Sequence, residues 1–204
     1  MPRYGSQKPR IDIYQNGSIE LAEKVIALWE HYNAPLLPWQ KSELRRWFAL
    51  DDDEKWANPE CGLSVPRQNG KTELLICRIV GGMIFLGECL VYTAHQSSTV
   101  DEIKRRVLRF FYDAEQEIRD LLTSEFDKEP KSFDYVELRN RGRCIFRTRT
   151  RSSGLGFTSD TLLIDEAQEL MDEELFDTID FSIRTTEVDN EIWLIWNPPR
   201  DKHH

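Results

Sequence analysis

Four side chains have the types and spacing to handle a triphosphate and a divalent cation: Lys71, Thr72, Asp165 and Glu166. The first two close the segment Val65-Pro-Arg-Gln-Asn-Gly-Lys-Thr72. It follows the phosphate-loop pattern GxxxxGK[ST], except that Val65 stands where the first glycine usually does. The chemistry survives that change. Gly70 lets the backbone approach an anion, and the amides that open the following helix point at it. Gln68, Asn69, Gly70, Lys71 and Thr72 are therefore the expected nucleotide-binding stretch. Lys71 would reach the β- and γ-phosphates of ATP, and the Thr72 hydroxyl would ligate Mg²⁺. The second pair ends Thr161-Leu-Leu-Ile-Asp-Glu166, an apolar run closed by two acids. Asp165 would hold the magnesium, directly or through water, and Glu166 would polarise the attacking water as general base. An acidic pair at a strand end can also be a solvated helix start, but the two motifs together, in this order, argue for the site.

Such residues work only if elements bring them together. Gly62–Val65 reads as a strand running into the phosphate loop, and Glu73–Leu86 as a buried helix in which Gly81-Gly82 marks close packing. Cys89–Thr93 is a second strand. Val100, Ile103, Val107, Phe110, Ala114, Ile118 and Leu121 then form an apolar stripe over about six helical turns. Tyr135–Leu138 and Cys144–Arg147 flank Asn140-Arg-Gly142 as a β-hairpin. Thr161–Ile164 and Glu191–Trp196 are two further strands. Upstream, residues 1–17 read as a loose arm. Ser18 is the expected cap of a helix carrying Leu21, Val25, Leu28 and Trp29, and a second helix presents Leu44, Trp47 and Phe48. Strands alternating with helices imply an α/β protein with a mostly parallel sheet flanked by helices on both faces. Ligands of such sheets sit at the carboxyl ends of the strands, where Lys71-Thr72, Asp165-Glu166 and Asn197 all fall. An adjacent Asp-Glu pair marks the ASCE/RecA-like class of P-loop NTPases, which has an extra strand between the two motifs. Cys89–Thr93 is the expected inserted strand.

Composition sets the frame. A chain of 204 residues, 40% hydrophobic and 31% charged, suits one globular domain. We expect residues 1–34 to be an arm and helix, and residues 35–204 the ATPase domain. No apolar run approaches a membrane span, and the basic start MPRYGSQKPR lacks the apolar stretch of a secretory signal. Cys61, Cys77, Cys89 and Cys144 are scattered and read as reduced thiols. The net charge of −9 argues against a surface that binds nucleic acid everywhere. Six arginines without an acid between Arg139 and Arg151 leave room for a local basic patch.

VPRQNGKTE, VYTAHQSSTVDEIKRR and RTRTRSSGLGFTSDTLLIDEAQEL closely resemble the ATPase domain of large terminase subunits from tailed bacteriophages. The resemblance spans roughly residues 35–200. It implies an ATP-hydrolysing motor that drives double-stranded DNA into a procapsid in the host bacterial cytoplasm. The implied cofactors are ATP and Mg²⁺. The implied partners are duplex DNA, the portal or procapsid, the small terminase subunit, and further copies in a ring whose isolated subunit could be a monomer. By the same resemblance, Gln40 matches the glutamine that reads the adenine edge, and Arg67 the loop arginine near the γ-phosphate. Asn197 stands where the family has a short polar coupling motif, although Trp196-Asn-Pro-Pro199 departs from its usual Ser or Thr. Gly154-Leu-Gly156 likewise departs from the usual arginine-glycine pair. The family's RNase H-like nuclease domain is not expected within these residues, since seven follow Asn197, so the sequence reads either as a shortened chain or as a separate ATPase subunit. The chain is expected to hydrolyse ATP and not to cut DNA.

Arg147, Arg149 and Arg151 alternate, so an extended segment puts them on one face. An anion opposite them could be DNA phosphate or the ATP of a neighbouring subunit, with Arg151, nearest the Asp-Glu strand, as the expected finger in trans. A solvated hairpin edge is the third reading. Two other functions compete with the terminase motor. A helicase-like fragment would need a second ATPase lobe. A non-hydrolysing nucleotide-binding scaffold would have no use for Glu166.

Overall fold

A computed structural model describes residues 6–66, 68–123, 134–149, 159–169 and 191–196. Its centre is a six-stranded sheet. The strands in chain order are β1 (Glu60–Ser64), β2 (Cys89–Ala94), β3 (Tyr135–Glu137), β4 (Arg143–Thr148), β5 (Thr161–Ile164) and β6 (Glu191–Trp196). Their order in space is β1-β6-β5-β2-β4-β3. All neighbours run parallel except β3, which pairs antiparallel with β4 through the expected hairpin. The strand lying between β1 and β5 is therefore β6. Cys89–Thr93, expected in that place, belongs to β2 on the far side of β5. Its position in the sequence, between the two motifs, says nothing about its position in the sheet.

Among the described residues, four helices position the strands: α1 (Glu20–Tyr32), α2 (Pro38–Trp47), α3 (Lys71–Gly81) and α4 (Ser97–Asp113). A single-turn helix, α5 (Gln116–Arg119), follows. The expected six-turn helix is broken at Ala114, whose backbone is extended, so only Val100, Ile103, Val107 and Phe110 of the stripe lie on α4. Ser18 does not cap α1. Its backbone pairs with Leu50 instead, N–H to carbonyl in both directions. The arm is tied down over its last residues as well. Gln15 exchanges hydrogen bonds with the Asn58 side chain, and Asp12 pairs with Arg46.

Side chains of α1, α2, α3 and α4 join one large buried cluster with Leu63, Leu90, Tyr92, Phe146, Leu163 and Ile195 of the sheet. The alternate strand residues Val91, Ile145, Leu162 and Ile164 face the other way and form a smaller cluster. Period-2 alternation explains that division. Every residue of α3 from Leu74 to Gly81 is buried, because α1, α2 and α4 all pack against it. Packing is so close at Gly81 that a Cβ there would lie 2.7 Å from Val25 Cγ2 and 2.9 Å from Phe48 Cζ. That is the packing which Gly81-Gly82 suggests. A π-helical turn, Gly82–Leu86, then ends the apolar run with Phe85 and Leu86 exposed. Among the described residues, no helix is long and apolar enough to cross a membrane.

One charge sits inside this core. Arg78 on α3 is fully buried and donates to both Glu88 carboxylate oxygens, at 2.6 and 3.0 Å, and to Thr161 Oγ1 at 2.9 Å. Its guanidinium also lies over the rings of Phe48 and Trp56. A guanidinium cannot be desolvated without such partners. The cluster ties α3 to the starts of β2 and β5.

Candidate active site

The chemical residues collect at one edge of the sheet. In the parallel register Ser64 lies opposite Trp196, and Ile164 opposite Leu194, so β1, β6 and β5 end nearly level. The loop after β1 and the acids after β5 are thus two strand spacings apart, about 10 Å.

On the β1 side, Gly70 takes the left-handed conformation, φ +84°, and α3 starts at Lys71. Gln68 is also left-handed at φ 62°. These two turns let the chain leave the strand and enter the helix with its first amides at the loop. Lys71 and Thr72 are half-buried, while Gln68 and Asn69 are exposed. Glu73, the third residue of α3, is anchored by Arg106 of α4 at 2.7 Å.

Gln40 is 4% exposed and lies against this loop. Its Oε1 accepts from the Leu37 amide at 2.7 Å, and its Nε2 donates to the Gly70 carbonyl at 2.9 Å. Both ends of the amide are thus occupied by the protein backbone. It brackets the start of α2 and the phosphate loop.

On the β5 side, Asp165 and Glu166 are half-buried. Asp165 Oδ2 accepts from the Tyr92 hydroxyl at 2.9 Å, and Oδ1 accepts from the Glu166 amide at 2.8 Å. Burial, together with the Asp165 carboxylate, pushes the Tyr92 phenol far above its usual range, so it stays a neutral donor. Glu166 has φ 54°, unusual for a residue with a Cβ. Among the described residues its Oε2 is buried and has no hydrogen-bond partner. A buried carboxylate oxygen without a donor needs a water, a cation or a substrate hydrogen to complete it.

Arg149, immediately after β4, reaches over the end of β2. One guanidinium nitrogen donates to the carbonyl and hydroxyl of Thr93, both at 3.1 Å. The other donates to the carbonyls of Asp165, at 2.7 Å, and Glu166, at 3.2 Å. Arg147 donates to Asp134 at 2.5 Å. Arg147 and Arg149 therefore both have partners within the chain. The hairpin supplies an acid to one, and the strand ends supply carbonyls to the other. Arg67, Arg151 and Asn197 lie outside the described residues. Sequence reasoning missed Tyr92 altogether and gave Arg149 a different role. Nothing in local spacing links either residue to Asp165.

No protein-family model matches the chain, and no curated protein matches it in sequence. Solved structures do. The crystal structure of the HK97 bacteriophage large terminase superposes with a TM-score of 0.69 at 15% identity, covering 86% of this chain and 37% of that one. The chain shares the fold of the superposed part of that terminase. This is the α/β P-loop architecture, with the strand order just described. An ATPase-domain variant of the Thermus phage P74-26 large terminase also matches, at TM-score 0.45 and 15% identity, covering 69% of this chain and 60% of that one. The chain thus spans about 37% of the length of the HK97 protein it superposes on.

Proposed function

We propose that this chain is the ATPase part of a viral DNA-packaging terminase, hydrolysing Mg·ATP to translocate double-stranded DNA into a procapsid. The observation that carries the reading is the shared edge. A glycine-led helix start and an Asp-Glu strand end stand on either side of β6, two strand spacings apart, in a fold shared with part of a terminase. The portal or procapsid, a small terminase subunit and further copies in a ring would be its partners, in the bacterial host cytoplasm.

The residues fit a magnesium nucleotide. Mg²⁺ favours one or two protein oxygens plus substrate phosphates over an all-protein cage. Here the Thr72 hydroxyl and the Asp165 carboxylate would be the ligands. Among the described residues, no three His, Cys, Asp or Glu side chains form a metal cage. When bound, the ion would neutralise charge on the phosphates. The Gly70–Thr72 amides would cradle the phosphates and Lys71 would contact the β- and γ-groups. Glu166, whose Oε2 lacks a partner, would take the proton of the attacking water. Arg67 near the γ-phosphate, Asn197 as a coupling residue and Arg151 as a finger in trans complete the proposal. Gln40 would contact adenine only if its amide exchanged a backbone partner for the base.

ATP turnover measured with and without duplex DNA tests the reading. Stimulation by duplex DNA is expected. Binding of ATP without turnover would leave the scaffold reading in its place.

A further inference from the structure

We propose that Arg149 is the positioning residue for Glu166, holding the left-handed backbone that aims the carboxylate. The inference rests on reading Glu166 as the general base and adds what fixes it in place.

The geometry has three parts. A left-handed residue with a side chain is strained and persists only where its surroundings hold it. Glu166 is such a residue, and the carbonyls on both sides of its φ and ψ, those of Asp165 and Glu166, accept from one guanidinium nitrogen. The same guanidinium is itself fixed from the other side. Its second nitrogen is held by Thr93, and the Arg149 amide donates to the Ala94 carbonyl at 2.9 Å. The end of β5 is thereby clamped to the ends of β2 and β4. Finally, among the described residues Glu166 Oε2 is buried without a hydrogen-bond partner. The Arg149 contacts act instead on the backbone that carries this side chain. Only a forked cation spans these acceptors, and the single ammonium of lysine does not.

The test is a double-mutant cycle with a structural readout beside it. ATP turnover is measured for Arg149→Ala, Arg149→Lys, Glu166→Gln and the Arg149→Ala/Glu166→Gln pair. A general base misplaced by about 1 Å costs on the order of 10²-fold. Arg149→Ala is therefore expected to lower kcat by roughly that factor, with KM for ATP near the parent value. In the Glu166→Gln background it should change nothing further. Arg149→Lys should recover little and serves as the second variant if the alanine form folds poorly. Amide exchange, read without nucleotide, should speed up at residues 165–169 in both Arg149 variants. Additive losses in the double mutant would overturn the proposal, as would unchanged exchange at residues 165–169. So would partial recovery on mixing Arg149→Ala with Glu166→Gln chains, because that marks a role in trans. A fully active Glu166→Gln would instead refute the reading of the base, while the exchange data still report whether Arg149 holds the turn.

Discussion

The two halves of the site are built by different means. The β1 half is local: Gly70 turns the chain, α3 begins, and Lys71 and Thr72 follow in consecutive positions. Its main outside support is Gln40. The β5 half is assembled from distant residues. Asp165 depends on Tyr92, and the carbonyls of Asp165 and Glu166 depend on Arg149. A phosphate site can be made from consecutive amides because the anion is bound by backbone. A water-activating carboxylate needs one precise direction, and side chains from other strands must supply it.

The largest expected effect strikes what the halves share. Glu88→Ala leaves the fully buried Arg78 without its carboxylate, a loss of roughly 3–5 kcal/mol. Thermal unfolding should show a marked fall in Tm, with both halves lost together. The Arg78→Met/Glu88→Leu pair should regain much of it, since an apolar pair removes both charges. An unchanged Tm in Glu88→Ala would mean that α3 and β5 are not coupled through this ion pair.

Next come the separate supports. Gln40→Ala removes two buried hydrogen bonds and exposes the Leu37 amide and Gly70 carbonyl, costing about 1–3 kcal/mol. It should raise KM for ATP while kcat changes little. Tyr92→Phe deletes one hydrogen bond, worth about 0.5–1.5 kcal/mol. It should lower kcat or raise the magnesium requirement, and leave KM for ATP alone. Steady-state kinetics at varied ATP and Mg²⁺ separates the two. If both variants shift the same parameter, the division into two independent halves is wrong.

The smallest effect is a pH dependence away from the site. Burial pushes the Cys77 and Cys144 thiols well above their usual range. Both therefore favour the folded state fully below the unfolded thiol value of about 8.5. As pH rises through that value the unfolded chain loses protons that the folded chain keeps, so stability falls. Denaturant midpoints from pH 7 to 10 should decline, and Cys144→Ala should flatten the decline. Both thiols should also react slowly with alkylating reagents in the native protein.

This division also explains what could be read from the sequence. Residues 65–72 and 161–166 announced themselves because each motif is contiguous and its chemistry lies in neighbouring positions. The helix faces of α2 and α4 were legible from apolar spacing, as Leu44, Trp47, Val100 and Ile103 show. The break at Ala114 was not, because an apolar stripe continues across it. Arg78 did leave a signal: a lone cation inside an otherwise apolar run such as Leu74–Met83 must have a buried partner. The identity of that partner, Glu88 with Thr161, is set by tertiary packing. The same holds for Tyr92, Arg149 and the place of β6 between β1 and β5. Alternation could not show that Asp134 stands beside Arg147, or that the carbonyls of Thr93, Asp165 and Glu166 stand beside Arg149.

In the proposed function the β1 half binds nucleotide and the β5 half performs the chemical step. Nucleotide affinity and ATP turnover of Lys71→Ala and Glu166→Gln, measured side by side, test it most directly. Lys71→Ala should lose turnover chiefly through weakened binding. Glu166→Gln should bind Mg·ATP about as well as the parent, with kcat lower by on the order of 10²–10⁴. A Glu166→Gln chain that kept most of its turnover would contradict the account.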